Sequence, residues 1–452
     1  MTPSGEPGMT MEVFTSPPST DTTTTTTTPR TPVDTVPVHK TEMHLVDYTN
    51  PHINPRGAWF ASLTGSFTAD YTGEYELGLV VCGTARLFVN DVLVVDNATV
   101  QRQGDAFYGS ATVEERGRVA VKEGERYTVR VDFGSAETAK LPGISGLLHG
   151  GGSLRIGGCR VLNAKEEIAR AVNLAGGAEQ VVICAGLNAD WETEGHDREV
   201  MDLPGHMDEL IAAVAEVNPK ITVVMQSGTP VAMSWIDKVG AVIQAWYGGN
   251  ETGNAIADIL FGDENPSGKL SLSFPKKLSD NPAFLNVRAE GGRTLYGEDV
   301  YIGYRFYEYA DREALFPFGH GLSYTTFAFA NLEVVESDGT IKVKLSVANT
   351  GVVRGQEVVQ VYVAPPSKQA VNRPKKELKG FAKVAVEPGK SEIVNVEIET
   401  KYAASYWDEF RKQWCAEAGQ YAVIISDSSA AKEGKTLRGF FTVAKTFWWS
   451  GV

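Results

Sequence analysis

The hydrophobic period of this chain changes twice, and that double change limits the folds open to it. Up to about residue 158, apolar residues recur at every second position, as in Gly73 to Val81 and Arg126 to Phe133. Period two is the mark of half-buried strands. Arg86-Leu87-Phe88-Val89 and Val92-Leu93-Val94-Val95 flank Asn90-Asp91, a pair suited to a two-residue hairpin turn. Met9 to Phe14 alternates as a further short strand. From about 160 to 275, strand-like runs alternate with helical periods. Ala164 to Ala175 and Met207 to Val217 read as helices, and Val181 to Gly186, Ile221 to Met225 and Ala241 to Ala245 as strands. Asn254 to Phe261 reads as a helix closed by Gly262. Such alternation predicts a parallel sheet with helices on both faces. After Ser323 the period returns to two, in Val343 to Val347 and Val359 to Val363, with a turn at Glu387-Pro388-Gly389-Lys390. The fold class is therefore multidomain, α/β plus all-β, and the last part predicts an immunoglobulin- or fibronectin type III-like sandwich.

Two stretches stand outside these patterns. Residues 15 to 40 are rich in Thr and Pro and predict a disordered loop. Residues 276 to 320 are irregular and aromatic, including Tyr301, Tyr304, Tyr307, Phe316 and Phe318, and predict a linker that glues domains.

At 452 residues the chain is too long for one core. Its 42 basic and 56 acidic residues give a net charge of −14, which repels phosphate backbones and excludes nucleic acid as a partner. No apolar run is long enough to span a membrane. Met1 to Glu6 lacks the basic and apolar regions of a secretory signal, so the chain as written reads as intracellular. Cys82, Cys159, Cys184 and Cys415 show no metal-type spacing, and no metal or cofactor is expected. Cys82 and Cys184 lie in apolar runs and read as buried, inert thiols. Asn97-Ala98-Thr99 and Asn250-Glu251-Thr252 read as chance glycosylation matches.

The chemistry-bearing stretch is Trp191-Glu192-Thr193-Glu194-Gly195-His196-Asp197-Arg198-Glu199, directly after the Val181 strand. Loops at the carboxyl ends of parallel strands face the crevice where α/β proteins bind ligands. Paired carboxylates are the working groups of glycoside hydrolysis. A second convincing carboxylate site is not found elsewhere in the chain.

Four motifs carry a resemblance. Glu194-Gly195-His196-Asp197-Arg198 resembles the acid/base loop of glycoside hydrolase family 3. Asn265 to Pro275, Tyr301 to Tyr307 and Phe316 to Tyr324 resemble later motifs of the same family, in the same order. The segment from about 5 to 158 is similar to the protective-antigen-like domain inserted in some of its β-glucosidases. The resemblance implies four divisions: 1–158 as that β domain, 159–285 as an incomplete α/β sandwich, 286–322 as an aromatic linker and 323–446 as a fibronectin type III-like domain.

It also implies a retaining β-glucosidase acting on β-glucosides or oligosaccharides, with Glu194 as general acid/base. Glu192 remains the alternative acid. Asp197 and Arg198 would support the loop, or form a surface ion pair of little value. Trp191 and His196 would line the sugar site, and His196 stands where the family often has Tyr. Phe107 and Tyr108 would reach over the pocket or, in the alternative, pack in the β-domain core. The family's complete enzymes begin with a (β/α)8 barrel of roughly 250 residues, where the aspartate nucleophile lies. Asp190-Trp191 is the nearest string, but it follows Asn188-Ala189 and belongs to the acid/base loop. The expectation is a C-terminal portion without the nucleophile, with an α/β sheet short of at least one strand. Self-association is expected through the face that would meet the barrel. The alternatives are a catalytically inactive carbohydrate-binding or structural remnant, and a sensing or adhesion module.

Overall fold

The computed structural model describes residues 1–2, 5–18, 30–54, 56–141, 151–195, 197–430 and 436–451. Contacts divide the chain into two compact units. The first comprises Met1–Asn173 with Asn188–Arg198, and the second Leu174–Leu187 with Glu199–Val452. The 188–198 loop thus groups with the first unit, although the chain order places it inside the α/β segment.

Among its described residues the first unit holds ten strands: β1 (Met9–Phe14), β2 (Asp34–Val38), β3 (Glu42–His44), β4 (Phe60–Thr68), β5 (Gly73–Cys82), β6 (Thr84–Val89), β7 (Val92–Asn97), β8 (Glu115–Val121), β9 (Arg126–Gly134) and β10 (Ser153–Arg160). They form a six-stranded sheet, β2-β1-β4-β9-β6-β7, and a four-stranded sheet, β3-β10-β5-β8. Alternation turns one face of each inward. Leu63, Leu79, Leu87, Val131 and Leu154 are fully buried together around Trp59 and Phe133. The β6–β7 hairpin turns on Asn90 and Asp91, whose φ values of 46° and 63° are the two positive angles that such a turn needs.

The Thr/Pro-rich stretch is shorter than its composition suggests. Residues 34–38 are a strand paired with β1, and residues 19–29 of that expected loop lie outside the described ones. Backbone pairing to β1 supplies the order that a low-complexity sequence does not encode. Asn97 is fully buried, its side-chain amide donating to Leu79 O and Thr112 Oγ1, so this sequon is closed to modification in the folded domain.

In the second unit β11 (Val181–Gly186), β12 (Ile221–Gln226) and β13 (Ala241–Gln244) form a parallel sheet in the order β11-β12-β13. Helix Met207–Val217 buries Ile211, Val214 and Ala215. The Asp208 carboxylate accepts bonds from Trp235 Nε1 (2.7 Å) and Leu203 N (3.0 Å). Cover on both faces holds for β12, whose Val223, Val224 and Met225 are inaccessible. It fails for β11, an edge strand: Val182 is 48 % exposed, and Cys184, two residues on and on the same face, is exposed too. The expected buried thiol at Cys184 is therefore corrected, because an apolar strand is buried only where a layer covers it. Cys82 is buried as expected.

The aromatic stretch is more regular than expected. It contains the hairpin β14 (Ala289–Glu290) and β15 (Arg293–Thr294), and a short helix, Tyr304–Tyr309. Tyr304 stacks on Phe318, meets Tyr362 edge-on, and accepts the Leu378 N–H through its hydroxyl. Beyond it come β16 (Phe327–Ser337), β17 (Thr340–Asn349), β18 (Gly355–Ala364), β19 (Glu377–Val386), β20 (Ser391–Glu399), β21 (Ser405–Asp408), β22 (Gln413–Ala416), β23 (Gly419–Ser426), β24 (Leu437–Val443) and β25 (Phe447–Trp449). Sheets β16-β17-β20 and β19-β18-β23-β24 enclose a core of Ile341, Val343, Leu345, Val347, Val361 and Ile425. Strands β21-β22-β25 make a small third sheet.

Candidate functional site

The loop that leaves β11 is set by Asn188. Its carbonyl accepts Trp191 N (3.0 Å) and Glu192 N (2.9 Å), and its side-chain oxygen accepts Asp190 N (2.9 Å). This local turn presents Trp191 and Glu194 as exposed side chains and leaves Glu192 half-buried. Gly195 follows at φ +77°, a conformation open to glycine at little cost. Asp197 is exposed and Arg198 half-buried. His196 lies outside the described residues.

Within the first unit this loop borders a cavity of about 220 Å³. Ala189, Asp190 and Thr193 line it from the loop, Phe107 and Tyr108 from the β domain, and Glu42, His44 and Arg155 from the four-stranded sheet. Trp191 and Glu194 are not among its lining residues. The structure thus brings Phe107 and Tyr108 to the 188–198 loop, while Glu194 is exposed and outside the cavity lining.

Strand geometry explains the sheet's contribution. Successive side chains of a strand point to opposite faces. On β3, Met43 faces the core, so Glu42 and His44 lie on the opposite face; on β10, Leu154 faces the core, so Ser153 and Arg155 lie on the opposite face, where Ser153 is nonetheless buried. The antiparallel register sets Arg155 opposite Glu42 and Ser153 opposite His44. Arg155 Nε donates to Glu42 Oε2 (2.9 Å) and Arg155 Nη1 donates to Asp190 Oδ1 (2.6 Å). Burial pulls the guanidinium's pKa down, but these two carboxylates outweigh it and hold the group above its ordinary value.

Phe107 and Tyr108 divide the two readings of their segment between them. Both adopt left-handed backbone angles, φ 52° and 59°, followed by Gly109 at 71°. Such angles cost bulky residues about 1–3 kcal/mol each. The turn is held by Gly109 N to Asp105 O (3.0 Å), Ala111 N to Ala106 O (3.2 Å) and Gln103 Nε2 to Gly109 O (2.5 Å). It points Phe107 inward onto Val80, Cys82 and Ala136, and leaves Tyr108 64 % exposed. His44 packs edge-on against Phe107, with centroids 4.9 Å apart.

Sequence reasoning missed Glu42, His44 and Arg155. They lie more than a hundred residues apart along the chain in part, and only the β3–β10 register unites them. Among the described residues no group of three or more His, Cys, Asp or Glu side chains is placed to hold a metal. No helix among them is long and apolar enough to cross a membrane.

The recognisable motifs of the second unit hold the fold together. Asn265 Oδ1 accepts Ser323 Oγ and Tyr324 N, while Leu270 and His320–Gly319 exchange backbone bonds. Lys269 reaches Gly321 O (2.8 Å) and a nearly buried Glu357 (2.8 Å). Gly319 sits at φ +79°, where an added Cβ would collide with Gln360.

Comparison with known proteins matches residues 96–324 to the glycosyl hydrolase family 3 C-terminal domain. It matches residues 5–164 to a PA14 domain and 357–429 to a fibronectin type III-like domain. A probable β-glucosidase I of Aspergillus clavatus is 46 % identical over 459 aligned residues, covering 100 % of this chain and 53 % of that protein. A probable β-glucosidase J of Neosartorya fischeri is 46 % identical over 458 residues, covering 99 % of this chain and 52 % of that protein. The crystal structure of a β-glucosidase from Kluyveromyces marxianus in complex with glucose superposes with a TM-score of 0.89 at 41 % identity. It covers 98 % of this chain and 51 % of that one. The chain spans about half the length of the curated relatives it matches.

Proposed function

The chain belongs to glycosyl hydrolase family 3, and from that premise we propose that it supplies the acid/base half of a retaining β-glucosidase site. Glu194 is the general acid/base: it protonates the glycosidic oxygen as the bond breaks, then takes a proton from the water that releases the sugar. The observation that carries this reading is the placement of the loop. Glu194 is exposed on a turn after a parallel strand, next to a cavity walled by aromatic groups. Glu192 is the weaker candidate, since it is half-buried. Trp191 and Tyr108, both exposed, offer faces for a sugar ring, while Phe107 backs the wall. Asp197 and Arg198 keep supporting roles in this reading, and His196 keeps its place in the lining of the sugar site. The substrates are β-glucosides or oligosaccharides.

Retention requires a second carboxylate about 5–5.5 Å from the first, acting as nucleophile. The family's Ser-Asp-Trp-type nucleophile motif has no counterpart in this sequence, so in this reading the chain by itself hydrolyses an aryl β-glucoside negligibly. The test is turnover at high protein concentration beside Glu194→Gln. Negligible turnover in both supports the reading. Robust turnover that Glu194→Gln abolishes would reveal a nucleophile within the chain, and robust turnover that survives it would remove Glu194 from the role.

A further inference from the structure

We propose that Arg155 is a positioning residue that clamps the acid/base loop to the strained aromatic turn of the β domain. The guanidinium stands at the centre of one cluster. Through Nη1 it holds Asp190, the residue before Trp191 and four before Glu194. Through Nε it holds Glu42 on β3. Its carbon lies 5.5 Å from the Phe107 ring centroid, and His44 braces the same ring from its edge.

The chemistry favours arginine at this position. One planar cation can give separate N–H groups to two carboxylates and still lay its face on an aromatic ring. Lysine has a single ammonium and no plane. The cluster is also a better anchor than most surface ion pairs. The Arg155 side chain is only 25 % exposed, it bonds both anions at once, and the β3–β10 ladder fixes Glu42 opposite it.

The backbone bonds from Trp191 and Glu192 to Asn188 are local and shape the turn. Through Asp190, the wall carrying Phe107 and Tyr108 and the loop carrying Glu194 meet at one cation. The catalytic consequence rests on the reading of Glu194 given above; the clamp itself does not.

The test is hydrogen exchange in the whole chain, read at the amides of Asp190, Trp191 and Glu192 and across β4 and β9. Arg155→Ala and Asp190→Asn should each speed loop exchange about fivefold while leaving β4 and β9 unchanged. Arg155→Lys should fall between, because the ammonium keeps the charge and loses the planar fork. Unchanged loop exchange in Arg155→Ala overturns the clamp. So does loosening that spreads through β4 and β9, which would make Arg155 a staple of the fold. Loosening in Arg155→Ala without any in Asp190→Asn removes Asp190 as the anchor and overturns it as well. Because the readout is loop order, a failure of the Glu194 assignment would leave these outcomes untouched.

Discussion

The C-terminal sandwich and the three-stranded parallel sheet are built from similarly apolar strands, and they end in opposite environments. Ile341, Val343, Leu345 and Val347 of β17 are all buried, enclosed by the facing sheet. On β11, Val182 and Cys184 share a face and both reach solvent. Leu174, at the end of helix Ala164–Gly176, is 71 % exposed, and Phe261, at the end of helix Thr252–Phe261, 84 %. Hydrophobic stabilisation follows the area removed from water, not the composition of the strand. The sandwich supplies its own cover, whereas the parallel sheet leaves apolar surface uncovered, a pattern that marks interaction sites or self-association.

Substitution should show the contrast most strongly. Leu345→Ala should cost the sandwich about 3 kcal/mol through lost burial and a residual cavity. Val182→Ala should cost less than about 0.5 kcal/mol. Denaturant titration of each variant checks both, and equal losses would erase the distinction between the two regions. Thiol chemistry should separate them nearly as well. Cys184 and Cys159 are exposed, so they should alkylate about a hundredfold faster than Cys82 and Cys415 in the folded chain. Burial pushes the Cys82 thiol up to about 11, so its thiolate is scarce at pH 8 and grows only as the pH climbs toward that value. Timed alkylation with peptide mapping reads the order, and fast labelling of Cys82 would contradict it.

Within the α/β segment, Asp208→Ala should cost about 2 kcal/mol. It strips the acceptor from Trp235 Nε1 and from Leu203 N at once. A blue- or red-shift in Trp235 emission should accompany the loss, and unaltered stability would mean that water replaces both bonds. The smallest effect belongs to Leu174→Ser. It should change stability by less than about 0.5 kcal/mol and yet reduce association in light scattering. Association that persists unchanged would place the adhesive surface elsewhere.

Much of this architecture is written in the period of the sequence. The β1 strand, the Asn90-Asp91 turn, helix Met207–Val217 and the Gly262 cap stand where local pattern puts them. What local pattern could not supply is cover. Cys184 sits in a run as apolar as that of Cys82, and only the edge position of β11 separates their fates. Strand β2 was hidden because Asp34–Val38 follows a low-complexity stretch and gains order by pairing with β1. At the cavity, Phe107 and Tyr108 were legible from residue type and loop position, whereas Trp191 and Glu194, legible from the motif, do not line it. Arg155, Glu42 and His44 were not legible, since each is an ordinary outward residue of a strand until register brings them together. The left-handed turn at Phe107 and Tyr108 also defies local preference, because nothing in their side chains favours positive φ.

Native-state hydrogen exchange across the whole chain tests the contrast between the regions most directly. Among the described residues, strand β11 is hydrogen-bonded on one side only in its sheet, whereas β17 lies between β16 and β20. The account predicts that amides of β11 exchange through local opening, at least about a hundredfold faster than those of β17 and β18. Uniform protection of β11, β17 and β18 in a monomeric sample would contradict it, and would show that the parallel sheet is as well covered as the sandwich.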